Sequence, residues 1–246
     1  WEARAGEIEG IGTLRGLALS QLGQVGRDPE VITEARRRVD LYLAAQPGAA
    51  HDATIPPERV GILLMLGALA GDEALHQRYV QQLQTPSTGS NTAAYMTALA
   101  WFEAPALAER TRELATDGRG GIPSRWRLLV ALLDNPRTRL DTWAWMQSHW
   151  PQIEAQTPPA GRIELLEGTA GLCDPMRRWE VSSFFSPSIR PLEGGLKAYS
   201  WALSEIDACI DRQSHLRTAG DWLRAHYSDK ALKKRSKRNR PARGAS

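Results

Sequence analysis

Strand signals are nearly absent from this sequence. No run of β-branched residues alternates with polar ones between turn residues. That argues against sheet-based folds and leaves helices to build the core. Long apolar runs are missing as well. The longest, Gly61–Ala70 (GILLMLGALA), is about half the ~18–20 residues that cross a bilayer, so it reads as a buried helix and no membrane span is expected. Cysteine is scarce: Cys173 and Cys209 are the two present, both at apolar helical positions. They read as buried free thiols, because a disulfide needs Cβ atoms within ~3.5–4.5 Å and spacing does not show that. The compartment stays open.

Catalytic motifs are missing too. A zinc hydrolase needs paired ligands at helical spacing, such as H-E-x-x-H, and none occurs. The five histidines, at 51, 76, 149, 215 and 226, are scattered. Glu73 and His76 form a lone E-x-x-H, whereas a carboxylate-bridged di-iron bundle needs two such motifs and two further glutamates. This pair reads as a solvated helix face. There is no G-x-S-x-G, P-loop or G-x-G-x-x-G. Gly118–Gly121 lacks the Lys-Ser/Thr of a phosphate loop and reads as a mobile loop. Cys173 has no neighbouring histidine to activate it. No catalytic residue, metal ligand or cofactor site is therefore assigned in this segment.

Acidic charge is missing from one place. Residues 230–246 hold eight Lys or Arg and no Asp or Glu, so a net charge of +3 conceals a body of −5. The tail, 229–246, reads as solvated and disordered. A nucleic-acid anchor is the rival reading, and the lack of aromatics after Tyr227 weighs against single-strand binding. The chain starts at Trp1, inside what reads as a helix under way, with no signal peptide; the expectation is a segment of a longer protein.

What is present is helix after helix. Ile11, Leu14, Leu17, Ala18 and Leu22 recur at helical spacing over Gly10–Val25. Asp28-Pro29-Glu30 reads as N-cap, first-position proline and first-turn acid. That helix runs to Pro47, and residues 47–54 form a polar loop. Pro56-Pro57-Glu58 opens the next helix, Asp72 caps another, and residues 86–90 turn. Helices follow over Asn91–Phe102 and Pro105–Ala115. Ser124 is the expected cap of a helix ending near Leu133, and Asp174-Pro175 caps Met176–Phe185. Ser186–Gly195 reads as a turn. Leu192–Tyr227 is the longest helical stretch, with Leu196, Tyr199, Leu203, Ile206 and Ile210 as its seam.

The helix from Asn135 onward carries three tryptophans. Leu140, Trp143, Met146, Trp150 and Ile153 share one face, and Trp145 and His149 lie on the other. A helix apolar on two sides packs against two layers. Of nine tryptophans, Trp126, Trp143, Trp150, Trp179, Trp201 and Trp222 sit at apolar positions and read as core. The fold class is all-α: antiparallel helix pairs stacked into an α-α superhelix of HEAT/ARM-like character, spanning 1–228 as one domain. A globular multi-helix bundle is the alternative.

The order of motifs resembles the C-terminal helical domain of zinc aminopeptidases of the aminopeptidase N and endoplasmic-reticulum aminopeptidase type. The resemblance rests on Leu14-Arg15-Gly16-Leu17, the Gly26–Pro29 break, Leu41-Tyr42-Leu43, and Ile55-Pro56-Pro57-Glu58. It continues through Ala98-Leu99-Ala100, Pro105-Ala106-Leu107, Asn135-Pro136 with Trp143 and Trp150, and Arg162–Leu166. Phe184-Phe185 and Ala202–Ile210 with Trp222-Leu223 complete it, over roughly residues 13–225. The basic tail departs from the pattern. The resemblance implies a non-catalytic lid that encloses peptide substrates over the catalytic domain of the same polypeptide. It places the zinc and the catalytic residues in that other, missing domain. On this reading Arg125 and Arg162, near helix starts, are the candidates for receiving a peptide carboxylate. A free-standing helical-repeat scaffold for protein partners is the alternative function. Nucleic acid is not an expected partner.

Overall fold

The computed structural model describes residues 1, 8, 10–44, 57–84, 91–118 and 121–227. The loop at 47–54, the turn at 86–90 and the basic tail lie outside these. The described residues form eleven α-helices, one 3-10 turn and no strand. They are α1 (Ile11–Gln24), α2 (Pro29–Ala44), α3 (Pro57–Leu69), α4 (Glu73–Gln84), α5 (Thr92–Leu99) and α6 (Pro105–Leu114). Then come α7 (Trp126–Asp134), α8 (Arg139–Gln156), α9 (Pro159–Gly168), the 3-10 turn Thr169–Gly171, α10 (Pro175–Ile189) and α11 (Gly195–His226).

Three aspartates start helices as their sequence context predicts. Asp28 Oδ1 accepts from the N–H groups of Glu30 (3.0 Å) and Val31 (3.1 Å). Asp72 accepts from Leu75 at 2.9 Å, and Asp174 from Met176 and Arg177. Each such cap contributes about 1 kcal/mol. Ser124 does not act this way. It sits at φ 51, and α7 begins after it with no side-chain cap. The turn expected over Ser186–Gly195 is shorter than that, because α10 continues through Pro187 to Ile189.

The helices stack in two rows. The odd-numbered ones form a series in which α1 packs on α3, α3 on α5, α5 on α7, α7 on α9 and α9 on α11. The even ones lie against that series: α2 on α1 and α3, α4 on α5, α6 and α8 on α7, α10 on α9 and α11. Composition explains the division. The stretch in α3 read as a buried helix buries Val60, Leu63, Leu64, Leu66, Ala68 and Leu69. α7 likewise buries Leu128, Leu129, Leu132 and Leu133. Helices apolar on most sides belong in the middle. α2 fully buries one stripe, Ala35, Val39 and Tyr42, and leaves its other positions half-buried or exposed.

At the first helix the covered face is not the expected one. Leu14, Leu17 and Leu22 are exposed, and α1 meets α3 through Gly16, Leu19 and Gly23. A Cβ on Gly23 would stand 2.2 Å from Leu66 Cδ2, so small residues let the two helices approach closely.

The tryptophans divide as well. Trp143 is 1 % exposed, and Trp126 and Trp150 are half-buried against the core. Trp179 (68 %), Trp201 and Trp222 are exposed, against expectation, because α10 and α11 have no further helix row over them among the described residues.

Cys173 and Cys209 are not free thiols. They form a disulfide with Cα atoms 5.2 Å apart, joining the turn before α10 to α11. Helical position showed each cysteine's setting but not that α11 returns across the 3-10 turn to meet Cys173. Just beyond this tie the packing stops. Described residues from Asp211 to Arg224 are exposed, apart from half-buried Gly220.

Candidate functional site

Three places gather polar chemistry. The first is where α7 and α9 begin. The Trp126 ring lies over Gly161, where a Cβ would come within 2.6 Å of the indole. This contact sets Arg125 and Arg162, the immediate neighbours of those two residues, at one edge of the α7–α9 interface. Trp126 Nε1 donates to Glu164 Oε2 at 3.0 Å, and Arg127 grips the same carboxylate through Nε (3.0 Å) and Nη2 (3.2 Å). These bonds, Arg127's first, hold the Glu164 carboxyl below the usual range. Arg125 Nη1 donates to the Asp117 carbonyl at 2.8 Å. Arg162 Nη1 pairs with Glu154 at 3.2 Å, while its buried Nε has no partner. Both candidate arginines are therefore anchored, each through its Nη1. Arg127 and Glu164 lie 37 residues apart, so sequence gave no sign of their pairing.

The second place is His76. Contrary to a solvated face, it is 3 % exposed. Its Nε2 lies 2.9 Å from Thr111 Oγ1, and its ring meets Phe102 edge-on at 5.1 Å. Burial, with the nearby Arg110 charge, holds its pKa down to about 4, so it is neutral near pH 7. It borders a pocket of about 400 Å³ together with Arg110, Glu113 and Asp117. Glu73 does not turn toward it; Glu73 pairs with Arg110.

The third place is the edge where three turns meet: α1–α2, α5–α6 and α7–α8. A pocket of about 300 Å³ opens there, with Arg27, Arg112 and Arg137 in its wall. Asn135 braces it by donating to the Ala100 carbonyl at 2.6 Å and accepting from the Arg137 N–H at 2.9 Å.

The aromatic helix α8 is structural. Trp143 and Trp150 pack against Phe184 and Phe185 of α10, and Trp143 Nε1 donates to Glu180 at 2.8 Å. Trp145 and His149 stack on each other at 4.2 Å, and His149 Nδ1 lies 2.9 Å from the Trp145 carbonyl. Arg139 was not singled out in the sequence, yet its guanidinium donates to the carbonyls of Leu133, Asp134 and Gly171. It closes the end of α7 onto the 3-10 turn.

Among the described residues no group of three or more His, Cys, Asp or Glu is arranged to hold a metal ion, and no helix is long and apolar enough to cross a membrane. No individual curated protein matches the chain. The family model described as ERAP1-like C-terminal domain matches residues 1–207. That span covers the stacked rows and ends within α11, just before the disulfide and the exposed half of that helix.

Proposed function

The chain belongs to the ERAP1-like C-terminal domain family, and from that premise we propose that it is the non-catalytic, substrate-enclosing domain of a zinc-dependent aminopeptidase. The family match over residues 1–207 carries this reading. On it, zinc sits in a catalytic domain of the same polypeptide and supplies Lewis-acid activation of a water and a scissile carbonyl. The residues described here bind and confine the peptide whose N-terminal residue is removed.

Two features support the reading. The stacked rows support a stiff shell, since each interior odd helix, α3, α5, α7 and α9, has an odd-numbered neighbour on both sides. The exposed leucines of α1 offer an apolar face of the kind that contact with another domain covers.

Within that shell Arg125 and Arg162 are the proposed receivers of peptide carboxylates. Each has its Nη1 fixed by the protein, which orients the guanidinium. Charge-assisted bonds from a guanidinium are about twice as strong as neutral ones. Reversing either charge in the whole enzyme, Arg125→Glu or Arg162→Glu, is expected to change its preference among peptides of different length. An unchanged length profile removes that residue from the site. The isolated chain is expected to hydrolyse no aminoacyl substrate and to bind no stoichiometric zinc; zinc-dependent turnover by the pure chain overturns the reading. An H-E-x-x-H motif encoded upstream of Trp1 separates this function from a free-standing scaffold.

A further inference from the structure

The second half of α11 leaves the body as an arm. Beyond the Cys173–Cys209 disulfide, every residue from Asp211 to Arg224 is exposed except half-buried Gly220. At ~100° per residue, Leu216, Ala219, Leu223 and Tyr227 fall on one face of the arm. Asp211, Ser214, Thr218 and Asp221 fall on the opposite one. Leu216, Leu223 and Tyr227 are exposed, and exposed Trp222 flanks them, its ring edge-on to Tyr227 at 6.2 Å. The arm is therefore two-sided, and its apolar side faces solvent among the described residues.

A helix of this length without packing is marginal in water. The disulfide and the packed half of α11 hold the root of the arm. A surface that takes up the leucines adds the support that packing gives elsewhere. The chain then runs on into residues 230–246, with eight Lys or Arg and no Asp or Glu, and the rest of the molecule is net acidic. Duplex nucleic acid meets those charges and leaves the leucines wet. An apolar protein groove meets the leucines and leaves the charges without partners. The headgroup boundary of an anionic bilayer meets both, since acyl chains take the apolar face and lipid phosphates take the cations. Trp and Tyr, apolar in body and polar at the tip, suit the same boundary.

We propose that the exposed half of α11, with the basic run that follows it, docks the protein on an anionic lipid surface. The helix lies in the plane of the interface. Leu216 and Leu223 enter the boundary between headgroups and acyl chains, with Trp222 and Tyr227 beside them. Asp211 and Asp221 face away from the lipid. The Lys and Arg of 230–246 bind the headgroups and supply most of the attraction. The acidic body is repelled by the same surface, so contact is confined to the arm. The arm begins where the family match ends, at residue 207, and does not depend on the lid reading.

The test is co-sedimentation of the full chain with two kinds of vesicle: phosphatidylcholine alone, and phosphatidylcholine with phosphatidylglycerol in equal parts. Binding to the anionic vesicles is expected to be at least about 100-fold stronger and to fall steeply with salt. Removing residues 230–246 is expected to abolish that preference. Leu216→Ser with Leu223→Ser keeps every charge and is expected to weaken anionic binding by about tenfold. It is expected to leave the melting temperature unchanged, because both side chains are exposed. Brominated lipid in the vesicles is expected to quench tryptophan fluorescence in the parent and less in Trp222→Phe. Equal binding to both kinds of vesicle, no binding, or a leucine pair whose loss changes nothing overturns the proposal. So does a preference for duplex DNA over anionic vesicles, which assigns the basic run to nucleic acid. A dimer in vesicle-free solution that the leucine change dissociates overturns it too and assigns the face to a second copy.

Discussion

The centre of the helix array and its last helix are built from similar residues and live in opposite surroundings. α3 and α7 bury nearly every leucine they carry, because helices stand on both sides of them. α11 has leucine, isoleucine and tryptophan at helical spacing along its length, yet only its first half is packed. Ala202 and Ile206 are buried, whereas Leu216 is 71 % exposed. An apolar face on a helix shows what the helix is able to cover. Whether anything covers it depends on the helix's place in the stack.

Four predictions put that contrast to use. Trp143→Ala, in the packed layer between α8 and α10, is expected to lower unfolding free energy by about 3–5 kcal/mol. Chemical denaturation measures it, and a loss under about 1 kcal/mol breaks the contrast from the buried side. The disulfide joins the packed and unpacked parts of α11 to the body across a separation of 36 residues. Replacing both cysteines by serine is expected to cost about 2–4 kcal/mol through loop closure. A double variant as stable as the parent in non-reducing buffer contradicts that.

His76 gives the array a pH dependence. Its folded pKa is depressed to about 4, against 6.5 unfolded. Its contribution is therefore whole above pH 6.5 and is lost as pH falls from 6.5 towards 4, because the unfolded chain takes up the proton first. The lost stability amounts to about 3 kcal/mol. Melting temperatures of the parent and His76→Gln across pH 7 to 4 check it: the parent's decline is steeper, and parallel curves refute the assignment. Leu216→Ala, on the unpacked part of α11, is expected to stay within about 0.5 kcal/mol of the parent. A loss like that at Trp143 shows that this helix face is covered in solution.

Local sequence carried the helices and their starts well. The Asp-Pro and Asp caps at 28, 72 and 174 work through the next two or three residues, so nothing distant is needed to read them. The run over Gly61–Ala70 has no polar side, so its central burial was legible too. What depended on distant neighbours was not. Leu14, Leu17 and Leu22 outscore Gly16 and Gly23 in any hydrophobic count, yet the glycines face α3, because helix approach is limited by side-chain bulk. The disulfide needed the return path of α11. At the candidate sites, Arg125 and Arg162 were visible as arginines near helix starts. Their fixing by Asp117 and Glu154 was not, nor was the lack of an acceptor for the buried Arg162 Nε among the described residues, since a missing bond is a property of the whole neighbourhood.

The central claim is that this domain confines peptides for a zinc aminopeptidase. The most direct measurement is kcat/KM of the whole polypeptide on peptides of increasing length, with and without the domain described here. The account predicts zinc-dependent removal of N-terminal residues with a length preference that disappears when the domain is removed. The same length profile with and without the domain, or no zinc-dependent aminopeptidase activity in the whole polypeptide, contradicts it.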